Sequence, residues 1–113
     1  MASSDPEPEF VRVAQASAIP ENGQRLVVVG GKQLLLCRSE GQFFAIVNRC
    51  THDHEQLVGG LIRKCTIVCP FHGARYSLKS GAPFGPPAFE PIDTYPVRVV
   101  GDAVEVGVSP TRP

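Results

Sequence analysis

Two short motifs, Cys50-Thr51-His52 and Cys69-Pro70-Phe71-His72, stand sixteen residues apart in the chain. Each offers one thiolate and one imidazole, so together they supply two sulfur and two nitrogen ligands, enough for one metal centre. The first spacing puts its two ligands on the same side of an extended segment. In the second, Pro70 stiffens the turn between them. Gly73 follows directly and lets the backbone pass close to a bound group.

The full pattern, C-x-H-x16-C-x-x-H, resembles that of the Rieske family. The cluster of that family has one iron bound by two Cys and the other by two His. The resemblance extends from about Phe10 to Val108 and includes Gly59-Gly60, Tyr76 and a Gly/Pro stretch over residues 81–87. Its nearest subgroup is the small Rieske ferredoxins of bacterial aromatic-ring dioxygenase systems. The resemblance implies one [2Fe–2S] cluster bound by Cys50, His52, Cys69 and His72.

The same resemblance implies an electron carrier that is not itself an enzyme. Its donor would be a flavin-containing, NAD(P)H-dependent ferredoxin reductase. Its acceptor would be a terminal Rieske non-haem iron oxygenase that dihydroxylates an aromatic ring. The sequence has no βαβ pattern, no G-x-G-x-x-G motif and no spare 2-His-1-carboxylate set, so it depends on both partners for that chemistry. We expect the carrier to be a monomer.

Two alternatives stay open on the same residues. In the first, the chain is a small Rieske subunit that is permanently bound to another oxidoreductase, such as an assimilatory nitrite reductase. Alternatively, the four residues form a structural zinc site, since zinc also accepts two Cys and two His. The C-x-H spacing is tighter than the usual Cys pairs of zinc ribbons. The colour of the purified protein distinguishes zinc from iron, because a zinc protein is colourless and a Rieske cluster is red-brown.

Length and charge exclude some classes of binding partner. The 113 residues fit one domain, and 11 basic against 11 acidic side chains give a net charge of zero. That balance gives no electrostatic footprint for nucleic acid or anionic membrane. No apolar run approaches the roughly 18–20 residues of a membrane span. We expect a disordered lead-in at 1–9 without secretory features, a single Rieske domain at 10–108, a tail at 109–113 and a cytoplasmic location.

Short β-branched or aromatic runs between regularly placed Gly and Pro predict an all-β protein. We expect strands at Phe10–Ala14, Gln24–Val29, Lys32–Cys37, Gln42–Asn48, Thr66–Val68, Thr94–Val100 and Ala103–Val108. Turn signals at Gly30-Gly31 and Gly101-Asp102 predict hairpins. In the last hairpin the expected inward residues are Val97, Val99, Val104 and Val106. Little helix is expected, with a single turn around Pro20–Gly23 or after His54.

The family fold would be an antiparallel β-sandwich base with a small cluster-binding subdomain. By resemblance, the two motifs lie in loops at 50–60 and 69–77, and Gly85-Pro86-Pro87, within the third loop Ser80–Pro91, would cover them. Residues around the motifs would form an apolar collar with a charged rim, which either shields the cluster from water or also serves for brief docking with partners. The apolar members would be Phe71, Pro86 and Pro87, and the charged ones Arg49, Asp53, Glu55, Arg75 and Lys79.

The other two cysteines and the residues around the motifs lead to predictions about the core and about the reduction potential. Cys37 is expected in the core and Cys65 in a structural role. High-potential Rieske proteins have a disulfide at the positions of Glu55 and Phe71 and a serine at the position of Ala74. Without the serine hydroxyl near the sulfurs, the reduced state is less stabilised, so we predict a reduction potential toward the lower end of the range of about −150 to +300 mV.

Overall fold

The computed structural model describes residues 9–51, 55–71, 73–86 and 88–111. Within these ranges every paired strand is antiparallel, and the only helical segment is a single 3-10 turn at Ala16–Ala18. The strands are β1 (Phe10–Gln15), β2 (Gln24–Val29), β3 (Lys32–Ser39), β4 (Gln42–Val47), β5 (Leu61–Arg63), β6 (Thr66–Val68), β7 (Arg75–Ser77), β8 (Thr94–Tyr95), β9 (Val97–Val100) and β10 (Ala103–Gly107). The predicted all-β class is confirmed. No described helix is long and apolar enough to cross a membrane.

Two sheets, with strand orders β1-β10-β9 and β2-β3-β4-β8, form the base of the molecule. One run of chain joins them, because β8 pairs with β4 while β9 pairs with β10. Pro96 stands between β8 and β9, and its ring has no N–H to donate to a ladder. The predicted strand Thr94–Val100 is therefore divided at Pro96 into two strands that belong to different sheets.

A third sheet, of order β5-β6-β7, lies in the segment between β4 and β8. The two strands that flank this segment pair with each other, with Ile46 opposite Thr94. The Val47 amide also donates to the Asp93 carbonyl at 3.0 Å. Both ends of the inserted segment, residues 48–93, therefore meet at one place on the base. We call this segment the subdomain.

Strand β3 is buried on both faces, which explains its continuous apolar run. Leu34 and Leu36 belong to a core between the two base sheets, together with Val104 and Val106. The alternate residues of β3 belong to a second core, which the subdomain covers. Its members are Leu35, Cys37, Ile46, Cys50, Leu57, Ile62, Ile67, Cys69, Ala74, Tyr76, Leu78, Ala88 and Ile92. The predicted core position of Cys37 is confirmed.

Polar contacts fix the subdomain to the base beside this second core. The Gln24 side chain accepts a hydrogen bond from the Gly59 amide at 2.6 Å and donates one to the Gly60 carbonyl at 2.8 Å. Farther along the subdomain, the Cys65 amide donates to the Ser39 hydroxyl at 2.9 Å. Both anchors use side chains of the β2–β3 hairpin, so the orientation of the subdomain follows that hairpin.

Several local predictions need correction. The 3-10 turn forms at residues 16–18, whereas Pro20–Gly23 closes a tight turn through a Gly23 N–H to Pro20 carbonyl bond of 2.8 Å. Val99 is 47% exposed, because β9 is the edge of its sheet. Strands β5 (LIR) and β7 (RYS) lie outside the predicted set, since neither has the β-branched run that predicts the equally short β6 (TIV).

Candidate metal centre

The two cysteines of the motifs lie in loops that close in the same way. The Cys50 amide donates to the Glu55 carbonyl at 2.8 Å, and the Cys69 amide donates to the Ala74 carbonyl at 2.7 Å. Each cysteine is thus hydrogen-bonded to the residue five positions later. The second loop connects β6 to β7 as a hairpin. Each motif histidine falls between the two ends of its loop in sequence.

The predicted ligands His52 and His72 lie outside the described residues, as does His54. Their assignment as ligands therefore stays a prediction. Within the described part of the chain, no group of three or more His, Cys, Asp or Glu side chains comes together. The described residues that bear on the predicted metal centre are therefore the two cysteines and their neighbours.

The Cys50 and Cys69 side chains are 0% and 2% exposed and belong to the same apolar core. Cys65 is buried as well, and its position at the β5–β6 turn agrees with the predicted structural role. Two buried thiols from two adjacent closed loops are a soft donor pair in dry surroundings. That arrangement fits an iron–sulfur centre, whose metals prefer thiolate ligands.

Tyr76 places a phenol group against the first of these sulfurs. The ring is fully buried, and its oxygen lies 3.0 Å from Cys50 Sγ and accepts the Thr51 amide at 3.1 Å. Burial raises the pKa of Tyr76, and the contact with Cys50 acts in the same direction. The phenol therefore keeps its proton and can donate it to a cysteine thiolate, a charge-assisted hydrogen bond.

The third loop, Ser80–Pro91, contacts both cysteine loops. Against the second, the Phe84 amide donates to the Arg75 carbonyl at 3.0 Å, next to a bridge between Tyr76 and Pro83. Against the first, the Thr51 hydroxyl donates to the Glu90 carbonyl at 2.8 Å. The three loops are therefore joined by direct hydrogen bonds. Of the expected cover at Gly85-Pro86-Pro87, the last residue lies outside the described ranges.

Gly81 explains how this third loop can lie so close. Its φ angle of +79° is in the left-handed region, and an added Cβ would lie 2.1 Å from the Ile92 carbonyl oxygen. The Ile92 amide donates back to the Gly81 carbonyl at 2.9 Å. Only glycine satisfies both the backbone angle and the close approach.

Exposed aromatic side chains mark the second and third loops. Phe71, Phe84 and Phe89 are 57%, 51% and 78% exposed. Phe71 is a predicted member of this surface, whereas Phe84 and Phe89 are not, although Phe84 lies within the Gly/Pro stretch at 81–87 and Phe89 follows it closely. Pro86 is exposed too, as are four expected charged residues: Arg49, Glu55, Arg75 and Lys79. Asp53 and Pro87 lie outside the described residues.

Comparison with known proteins matches residues 9–96 to the Rieske [2Fe-2S] domain. The chain therefore belongs to the Rieske [2Fe–2S] domain family, and the resemblance drawn from the two motifs is confirmed. The cofactor of this family is one [2Fe–2S] cluster, in agreement with the donor chemistry of Cys50 and Cys69.

The chain is also similar to ferredoxins of known systems. It is 35% identical over 91 residues to the ferredoxin component of the naphthalene 1,2-dioxygenase system of Pseudomonas aeruginosa, covering 80% of this chain and 88% of that protein. A chain in the complex of reduced oxygenase and oxidized ferredoxin of carbazole 1,9a-dioxygenase superposes with a TM-score of 0.86 at 30% identity, covering 92% and 97%. The ferredoxin of carbazole 1,9a-dioxygenase from Nocardioides aromaticivorans IC177 gives 0.84 at 28% identity, covering 88% and 98%.

Proposed function

We propose that this protein is a cytoplasmic, monomeric electron carrier of an aromatic-ring dioxygenase system. It accepts single electrons from a flavin-containing NAD(P)H-dependent ferredoxin reductase and delivers them to a terminal Rieske non-haem iron oxygenase. It performs no reaction on the aromatic substrate. The observation that carries the proposal is the pair of buried cysteines in matching closed loops, with the Tyr76 phenol on one sulfur.

Cys50, His52, Cys69 and His72 would hold the cofactor. The [2Fe–2S] cluster supplies one-electron redox chemistry when bound. Cys50 and Cys69 exclude water from the sulfur side, because both lie in the apolar core. Tyr76 donates a hydrogen bond to the Cys50 thiolate and so favours the more negative, reduced state.

The exposed aromatic residues Phe71, Phe84 and Phe89 support docking at the second and third loops. Transient complexes use small interfaces in which aromatic side chains supply contact area and surrounding charges set orientation. Arg49, Glu55, Arg75 and Lys79 provide both signs of charge near the motifs. A surface of mixed charge suits successive, brief contact with two different partners.

The ligand assignment is tested by substituting histidines one at a time. We expect His52→Ala and His72→Ala to lose the red-brown colour and the Rieske EPR signal of the reduced protein. His54→Ala is the matched control, since it removes an imidazole two residues from His52, and it should keep both. A His52→Ala protein that retained the signal would overturn the assignment.

The carrier role is tested by reconstitution. The purified protein is mixed with a ferredoxin reductase, NADH and a terminal oxygenase, and substrate-dependent NADH consumption is followed. We expect turnover only when all three proteins are present, and a Phe89→Ala variant to raise the carrier concentration needed for half-maximal rate. Purification in a stable complex with a larger oxidoreductase would favour the permanent-subunit alternative. Colourless protein that contains zinc and no iron would exclude both.

A further inference from the structure

Thr51 connects the third loop to the sulfur of Cys50 through Tyr76. Its hydroxyl oxygen lies 2.8 Å from the Glu90 carbonyl oxygen and 2.9 Å from the Tyr76 phenol oxygen. The phenol oxygen lies 3.0 Å from Cys50 Sγ. A continuous line of contacts therefore runs from a backbone carbonyl, through two hydroxyl groups, to a predicted cluster ligand.

The number of protons in this line is smaller than the number of contacts. Each hydroxyl has one proton, whereas a carbonyl oxygen only accepts. The contact between Thr51 and Glu90 therefore uses the Thr51 proton. Its contact with Tyr76 then needs the phenol proton, and so does the contact between the phenol and Cys50, because a metal-bound thiolate has no proton of its own. One phenol proton thus faces two acceptors.

We propose that Thr51 is a positioning residue that lowers the reduction potential of the centre by competing with Cys50 for the Tyr76 proton. The Glu90 carbonyl holds Thr51 in its accepting orientation. A hydrogen bond to the thiolate favours the reduced state, so any share of the proton that Thr51 takes disfavours reduction. The inference rests on the proposed function, since it requires a cluster bound at Cys50.

The opposite arrangement has a different consequence. If Thr51 donated to the phenol, Tyr76 would give its proton to Cys50 alone, and Thr51 would strengthen that hydrogen bond. Two observations disfavour this arrangement. The phenol oxygen already accepts the Thr51 backbone amide at 3.1 Å, and the Glu90 carbonyl would lose its 2.8 Å donor. The two arrangements predict opposite effects of removing the Thr51 hydroxyl.

The test is a redox titration of the cluster-loaded Thr51→Val protein. Valine has the shape of threonine without the hydroxyl, and the backbone amide at position 51 stays. We expect an upward shift in potential, less than a tenfold change in the ratio of reduced to oxidised protein, or under about 59 mV for one electron. Thr51→Ser is the matched control that keeps the hydroxyl, and it should titrate like the wild type.

A double-mutant cycle shows whether the effect passes through the phenol. In a Tyr76→Phe background, Thr51→Val should produce no further shift, because there is no phenol proton to redistribute. A downward shift in Thr51→Val alone would overturn the proposal. An upward shift of equal size in the Tyr76→Phe background would overturn it too, since a change in local packing or hydration would then be the cause.

A second variant and a second measurement guard against poor cluster incorporation. If Thr51→Val takes up no cluster, Thr51→Ala replaces it in the same cycle. Pulsed ENDOR of the reduced protein follows the exchangeable proton that is lost in Tyr76→Phe, and its coupling should grow when the Thr51 hydroxyl is absent. An unchanged coupling would contradict the proposal. Failure of the proposed function is recognised separately, as absence of the Rieske EPR signal in the wild type.

Discussion

The side-chain oxygen of Asn48 accepts a hydrogen bond from the Val58 backbone amide at 2.8 Å. The same oxygen accepts the Leu57 amide at 3.1 Å. Asn48 is only 6% exposed and stands two residues before Cys50. One buried carboxamide therefore ties together the two ends of the loop that carries the first motif.

Replacing Asn48 should loosen that loop. Asn48→Ala leaves two backbone amides without their acceptor, and each loss costs about 1–3 kcal/mol of unfolding free energy when the group is buried. We expect a lower thermal midpoint and faster bleaching of the visible absorbance in a chelator. Asn48→Asp is the control, because it keeps an acceptor oxygen in the same place, and it should bleach more slowly than Asn48→Ala. Equal bleaching rates would contradict the role assigned to this oxygen.

Alanine substitutions at Gly81 and Gly41 distinguish the cost of backbone strain from the cost of steric crowding. Their φ angles are +79° and +74°, but an added Cβ meets the Ile92 carbonyl at 2.1 Å in the first case and no atom within 4 Å in the second. We expect Gly41→Ala to lose about 1–2 kcal/mol from left-handed strain alone. Gly81→Ala should lose clearly more and release cluster sooner, because the third loop must move. Thermal melting of both variants checks this order, and equal losses would refute it.

A hydroxyl at position 74 should raise the reduction potential. Ala74 is fully buried. It belongs to the second cysteine loop, where its carbonyl accepts the Cys69 amide. High-potential Rieske proteins have serine at the corresponding position. We expect redox titration to place the wild type near the lower end of the family range and Ala74→Ser above it. Ala82→Ser, at an exposed site, should leave the potential unchanged. A fall in potential for Ala74→Ser would contradict the argument.

Cys37 should make stability depend on alkaline pH. Burial raises the pKa of its thiol from an ordinary 9.0 to about 12. The folded state therefore keeps the proton that the unfolded state loses. The contribution of this group to stability is complete below about pH 9 and is lost as pH rises toward 12, by about 1.4 kcal/mol per pH unit. The fall in thermal midpoint between pH 8 and pH 10 should be smaller in Cys37→Ala than in the wild type. An identical fall would exclude the effect.

Sequence patterns predict the long strands of the base, apart from the division at Pro96, and the structure places the two motif cysteines together in one buried core. The apolar run of β3 and the Gly30-Gly31 turn carry local signals that need no tertiary information. Strand β7 has three residues and forms because β6 and the third loop lie on either side of it. The contact between Thr51 and Glu90 joins residues 39 positions apart. Neither feature has a local pattern, since each depends on how the loops pack in space.

Because both ends of the subdomain meet where β4 pairs with β8, the subdomain is an insertion between two paired strands of the base. We expect changes at exposed loop positions between residues 48 and 93 to leave the pairing of the two flanking strands intact, because that pairing lies outside the segment. Both motifs and the third loop lie in this one contiguous segment of the sequence, so we expect its residues to determine the properties of the bound group. The same boundary gives engineers a natural graft point for exchanging redox units between related scaffolds.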